Sequence, residues 1–453
     1  MDMRYENIKT VVLSCLILIS LILTWTLWTY TPTYDKMENN PSYVDDVKIG
    51  KTKMLEDHIQ PSLILAHFAS THKGLLNKDM DTWTNEMKKW SISDVVRISN
   101  TSFERPEDFY DFVHGNQTME ILYPTEMSLS TFQSMYEVKG TMPSGTFDRI
   151  ILKPGQADNV SQSVRIYFVN YETKEIYEAN IKGFNEAAWE KHYKDIQSNG
   201  QDYIAFKRED KSVLFLPEQP TPLQQKSYKQ EMISSDKFRN ALFDNMKIVE
   251  ENELSGQTVY NDSKRMLELS KTKPLMAYTN YEDATQSDQS VATDKEGAIK
   301  RSFDFVNAHA GWTDPYYLTE WNSDASYQSV TFQLHEDYYP VFNDDDLSKV
   351  TLKSSGQNIS EYKRPTFQLG KLSDEYGKKI KLPSGKAVIK EIEGKENFDD
   401  SKLKNIIVGY ELQTEKDFTN VITLKPYWFY KYDGIWYKIV DKAEQGGDKD
   451  GLE

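Results

Sequence analysis

The chain has one cysteine among 453 residues, Cys15, so no intrachain disulfide can form. Small exported domains often rely on such links, whereas larger ones bury enough core to do without them. An exported chain of this size without disulfides fits a Gram-positive bacterium better than a eukaryotic secretory route. Positive charge is also in deficit: 54 Lys and Arg stand against 70 Asp and Glu, a formal charge of −16. A field of that sign repels phosphate backbones and anionic wall polymers, which argues against nucleic acid as a partner.

Catalytic signatures are lacking too. The chain contains no H-E-x-x-H, G-x-S-x-G, C-x-x-C or complete phosphate loop. The "GKT" at 50–52 has Asp45 where the loop's first glycine would stand. His58, His67 and His72 fall at spacings that match no helical ligand pair, so they read as structural histidines and no metal site is expected. "HED" at 335–337 and "DDD" at 344–346 read as turns; the latter lacks the alternating ligands and glycine of a calcium loop. No catalytic residue and no cofactor is assigned. Carboxylate pairs for glycoside hydrolysis can lie far apart in sequence, and with 70 acids their presence diagnoses nothing. A membrane-anchored extracellular cell-wall hydrolase therefore stands as the alternative, and it requires a deep cleft with carboxylates of shifted pKa.

Long apolar runs are missing with one exception, "VVLSCLILISLILTWTLWTY" at 11–30. No residue between Lys9 and Asp35 is charged. Twenty helical residues span about 30 Å, the thickness of a bilayer core. A cleaved signal peptide has a shorter apolar region and a small-residue cleavage site, neither of which is found here. A lipoprotein would carry its cysteine after the run, not near its start. The expectation is a retained signal anchor, helix 10–30. Arg4 and Lys9 place residues 1–9 in the cytoplasm by the positive-inside rule, leaving the bulk of the chain outside the cell membrane. Trp25, Trp28, Tyr30 and Tyr34 would sit in the outer interface. Thr10, Ser14, Ser20, Thr24 and Trp28 share an arc of about 120°. Such a hydroxyl-bearing face suits contact with partner helices in lipid. The same hydroxyls could equally bond their own preceding turn.

The remainder is long enough for two to four domains. Its aromatic content, 13%, favours β-rich packing. "SLILAHF" (62–68) and "MEILYP" (119–124) read as strands, the second closed by its proline. "DMDTWTNEMKKW" (79–90) reads as a helix capped by Asp79, with Met80, Trp83, Met87 and Trp90 on one face. "VRIYFVNYETKEIYEANI" (164–181) reads as a hairpin. "LPEQPTPLQQ" (216–225) marks a connection. "DKFRNALFDNM" (236–246) aligns Phe238, Ala241, Leu242 and Met246 on a helix face. The segment 280–297 is nearly devoid of apolar residues and reads as a linker. "KEGAIKRSFDFVNAHAGW" (295–312) is an amphipathic helix with Ile299, Phe303, Val306 and Ala310 aligned and Gly311 at its end. In "KPYWFYKYDGIWYKIV" (425–440), a two-residue Asp433-Gly434 turn pairs Tyr432 with Ile435, Tyr430 with Tyr437 and Trp428 with Ile439. That face is expected to be buried, and the opposite face, with Lys431 and Lys438, wetter.

Several of these stretches together resemble the YycH (WalH) family. They are the opening "ENIKTVVLSCLILISLILTWTLWTYTPTYD", "NALFDNMKIVEEN" with "VYNDSKRML", "FDFVNAHAGW", "YPVFN", "NIIVGYELQ" and "KPYWFYKYDGIWYKI", in the same order over nearly the whole chain. Where the family often has glycine in a "YxDGxR"-type run, this chain has Ser263. The resemblance implies a membrane-anchored regulator of the WalK–WalR two-component system, which governs cell-wall metabolism. It implies contact with the sensor histidine kinase WalK through transmembrane helices, YycI as a second single-span partner, and no enzymatic activity. It also implies an α+β fold with three extracytoplasmic domains after the single transmembrane helix. The expected boundaries are a juxtamembrane linker at 31–53, an N-terminal domain at 54–185, a middle domain at 186–294 and a C-terminal domain at 295–453.

Overall fold

The structure, a computed structural model, describes residues 16–20, 49–75, 77–98, 106–154, 163–281, 297–309, 311–323, 327–373, 377–414 and 420–440. The chain divides into two units, Met1–Val47 and Lys48–Glu453. Within the first, residues 16–20 are helical and exposed. Among the described residues no helix is long and apolar enough to cross a membrane. Apart from Ser20, the expected partner face (Thr10, Ser14, Thr24, Trp28) and the interfacial anchors Trp25, Tyr30 and Tyr34 lie outside the described residues. Most of the 280–297 segment does too.

The second unit is α+β and rich in strands. A ten-stranded sheet runs in the order Val213–Pro217, Gln201–Lys207, His72–Gly74, Leu63–His67, Thr118–Ser128, Thr146–Pro154, Ser163–Asn170, Glu175–Asn185, Ser91–Arg97 and Glu137–Lys139. Every pairing in it is antiparallel except the last. A second sheet of fourteen strands carries all the later strands except a separate two-stranded pair, with the long pair Leu403–Thr414 and Val421–Tyr432 near one end. Lys226–Met232 enters this sheet beside Val421–Tyr432. The main apolar core draws buried side chains from both sheets, from Ile64 and Phe168 to Phe332 and Leu424.

Local sequence explains most of these elements. Met80, Trp83 and Met87 are buried on one face of helix Met80–Met87. Asp79 stands at its N-cap position without a capping bond, because a 3-10 turn, Asn77–Asp79, leads straight into the helix. Trp90 is buried beyond the helix end. The hairpin at 164–181 forms as expected, and Asn170 Oδ1 accepts the turn's Glu172 and Thr173 N–H groups. Pro124 does not close its strand. Thr118–Ser128 runs through it, and the register shift between Leu122 and Met127 absorbs the missing donor.

Helix Ser235–Leu242 buries Phe238 and Leu242, but Met246 belongs to a separate 3-10 turn. The Pro- and Gln-rich connection contains a short strand, Thr221–Gln224, paired with Lys379–Leu382. Helix Ala298–Ala308 buries Ile299, Phe303 and Val306. Gly311, at φ +78°, returns its N–H to Val306 O at 2.8 Å. The Asp433-Gly434 turn has both residues at positive φ, and all three expected pairs form. Burial of that face is incomplete. Trp428 and Ile439 are buried, while Ile435 is 59% and Tyr437 41% exposed. The opposite face is drier than its lysines suggest, since Phe429 stacks on Phe342 at 4.0 Å.

Candidate functional site

The densest group of titratable side chains lies in the ten-stranded sheet. His67 and His72 are directly paired across their hairpin, so their rings project from the same face. Leu65 pairs with Glu120 and His67 with Thr118, which puts Glu120 diagonal to His67 on that face. Arg149 stands diagonal to Glu120 on the next strand, since Glu120 pairs with Ile151 and Arg149 with Leu122. His114 ends the helix Pro106–His114, and Tyr171 follows strand Ser163–Asn170. Phe215 covers the group, with its ring 4.9–5.3 Å from those of His67, His72 and His114.

Hydrogen bonds link the group into one chain. Glu120 Oε2 lies 2.9 Å from both His67 Nε2 and His114 Nδ1. Glu120 Oε1 accepts from Arg149 at 2.5 Å. His67 Nδ1 is 2.7 Å from His72 Nδ1, and His114 Nε2 is 2.8 Å from Tyr171 Oη. The hydroxyl of Tyr171 also accepts Val213 N–H at 3.0 Å. Arg149 lies over the Tyr171 ring and pairs with Asp148 at 3.1 Å. His67 and Glu120 are fully buried.

Burial opposes ionisation of Glu120. Even so, the His114 ring, the Arg149 guanidinium and the hydrogen bonds from His114 and His67 hold its carboxyl well below the usual range. Burial, with His67 and His114 beside it, pushes His72 down to about 4. His114 is also lowered by burial, against the pull of Glu120. The result is a buried carboxylate–guanidinium pair ringed by imidazoles.

His58 lies elsewhere. Its ring packs on Trp312 at 4.2 Å, with Phe303 and Phe332 nearby, and Nδ1 bonds to Tyr316 O. It borders a cleft of about 480 Å³ lined by Ile49–Lys51, Lys53, Asp57, Trp312–Tyr317 and Gln368. Burial raises the Asp314 carboxyl in this cleft, but that group accepts Leu369 N–H at 2.9 Å and so anchors backbone. Two of the lining residues form a two-bond clip: Lys51 N–H donates to Trp312 O at 2.9 Å, and Trp312 N–H donates to Lys51 O at 3.0 Å. The first described residues of this unit are thereby tied to the loop after helix Ala298–Ala308.

Family comparisons cover almost the whole chain. The YycH protein N-terminal domain matches residues 6–198, and the YycH protein C-terminal domain matches 211–446. The chain belongs to the YycH family. A full-length relative, the two-component system WalR/WalK regulatory protein YycH of Bacillus subtilis (strain 168), is 23% identical over 468 residues, covering 100% of both chains. The crystal structure of YycH from Bacillus subtilis has the same fold, with a TM-score of 0.71 and 21% identity over 86% of this chain and 98% of that one. The resemblance seen in the ordered sequence runs is thus borne out.

The position where the family often has glycine can now be placed. Ser263 sits at φ +71°, the left-handed region, held by Asn261 Oδ1 accepting its N–H at 2.7 Å. Of the three histidines singled out in the sequence, the fold joins His67 to His72 and separates His58. It adds His114, Glu120, Arg149 and Tyr171, none of which the sequence spacing marked. One signal was available: Glu120 is an acid inside an apolar strand.

Proposed function

We propose that this chain is a non-enzymatic, membrane-anchored regulator of a WalK-type sensor histidine kinase in a WalR/WalK two-component system, controlling cell-wall metabolism and acting with YycI. The full-length correspondence to a relative named for that system, with no part of either chain left over, carries the reading. The apolar run at 11–30 supports a single-pass anchor with a cytoplasmic N-terminus and the sheets outside the cell membrane. Its hydroxyl-bearing face, Thr10, Ser14, Ser20, Thr24 and Trp28, supports contact with the kinase and YycI helices.

The mechanism is a shift between two kinase states. A regulator moves that equilibrium only by binding the two states unequally, and about 1–3 kcal/mol of difference suffices. The clip between Lys51 and Trp312 gives a route for it. It joins Lys51, which follows the proposed anchor in sequence, to the loop after helix Ala298–Ala308, and this supports such a route.

The test replaces Ser14, Ser20 and Thr24 together with Leu and reads a WalR-dependent promoter at matched protein levels. The expected result is a change in output of about fivefold or more. Unchanged output, or full signalling by a chain released into the medium, rejects the helix-contact mechanism.

A further inference from the structure

Three ligand-type atoms from three separate elements meet at one buried point in the ten-stranded sheet. His67 Nε2, His114 Nδ1 and Glu120 Oε2 all lie within 4.8 Å of one another. We propose that these atoms bind one divalent transition-metal ion, with Zn²⁺ the best match. The inference goes beyond the regulatory role and does not depend on it.

The donor set comes first. Two imidazole nitrogens and one carboxylate oxygen form a set that zinc takes readily. Size is the second consideration. A tetrahedral ion with bonds of about 2.1 Å spaces its ligands about 3.4 Å apart. Glu120 Oε2 now lies 2.9 Å from each nitrogen and the three atoms lie within 4.8 Å of one another, so seating the ion moves the carboxylate out by about 0.5 Å and brings the two nitrogens to about 3.4 Å from each other.

The outer contacts carry most weight. A metal-bound imidazole usually donates its other N–H to a fixed partner, which sets its tautomer and orientation. Both rings have one: His72 Nδ1 at 2.7 Å from His67 Nδ1, and Tyr171 Oη at 2.8 Å from His114 Nε2. Without an ion, each ring directs its N–H inward to Glu120. With an ion, the same single proton sits on the outer nitrogen and is donated to His72 or Tyr171. Each ring keeps one proton throughout, so the ion enters by tautomer exchange. Charge agrees with this. Asp148 offsets Arg149 at 3.1 Å, leaving the Glu120 carboxylate as the net charge facing the ion. Once bound, the ion fastens the end of helix Pro106–His114 to the two central strands that carry His67 and Glu120.

The experiment uses the tag-free full-length chain in detergent, stripped with a chelator and then given Zn²⁺ or Co²⁺ alone. The expected result is one equivalent of metal per chain, a Tm that rises with Zn²⁺ concentration, and a Co²⁺ spectrum of nitrogen and oxygen ligands without a thiolate band. His114→Asn alters a ring at the rim of the group, 9% exposed. It should lose at least about tenfold in affinity, and His72→Gln, which keeps all three ligands, should lose about 10–100-fold. His192→Gln, outside the group, should bind as the parent does. Binding far below one equivalent, or equal binding by the parent and His114→Asn, overturns the proposal. Should His114→Asn fail to fold, X-ray absorption of the metal-loaded parent decides: two imidazoles and a carboxylate support the site, and any other ligand set overturns it.

Discussion

Acid should weaken this fold well before its carboxylates titrate. His58 and His335 are both pushed down to about 4, chiefly by burial, from an ordinary value of 6.5. In the folded chain they stay neutral at pH 5.5, while in the unfolded chain they are mostly protonated. The unfolded state therefore takes up more protons, and stability falls as pH drops from above 6.5 toward 4. For a ring with these two values, moving from pH 7.5 to 5.5 costs about 1.3 kcal/mol, so the pair costs about 2.6 kcal/mol. Burial also lowers His72, His114, His192 and His309, which adds to the loss. The buried Asp314 runs the other way, because its carboxyl is raised. Urea unfolding at the two pH values and constant ionic strength, followed by tryptophan fluorescence, measures the difference. His335→Gln should remove about half of the pair's contribution without changing its sign. Equal unfolding free energies at pH 7.5 and 5.5, or a more stable protein at 5.5, would refute the reasoning.

Two further outcomes test particular backbone sites. Ser263 holds a left-handed conformation that glycine adopts freely, so Ser263→Gly should raise stability by about 0.5–1 kcal/mol in the same urea assay; a loss would mean that the Asn261 bond outweighs the strain. A Cβ on Gly50 would stand 2.2 Å from the Trp312 carbonyl oxygen, so Gly50→Ala must push the clip apart. It should cost about 2–3 kcal/mol and speed trypsin cleavage at Lys51 and Lys53; unchanged cleavage would show that the clip is dispensable.

Periodicity told most where one segment's own side chains set the burial. Met80, Trp83 and Met87 repeat at helical spacing, and a helix is what buries all three on one side. Asp433-Gly434 favours positive φ at both turn residues, and that turn sets the register of the last hairpin. Where the expectation missed, a distant partner was the cause. Pro124 continues its strand because the neighbouring strands carry it across a register shift. Thr221–Gln224 is a strand only because Lys379–Leu382 lies beside it. Ile435 and Tyr437 keep the expected pairing yet stay exposed, since their strand has a neighbour on one side only.

The histidine group divides in the same way. His67 and His72 are close in sequence, and a hairpin makes them neighbours. Glu120 and Arg149 reach them only through strand order and register, which depend on pairings between segments tens of residues apart, and His114 comes with them at the end of the helix that precedes Glu120's strand.

By itself the sequence determined the apolar run, the absence of disulfides, the acidic surface charge and the family, because each is a property of composition or of residues close along the chain. The tertiary structure alone decided that Glu120 sits buried between two imidazoles and a guanidinium, and that Lys51 is bonded to Trp312. Both follow from long-range packing, whose energy is shared among many partners and leaves no local mark.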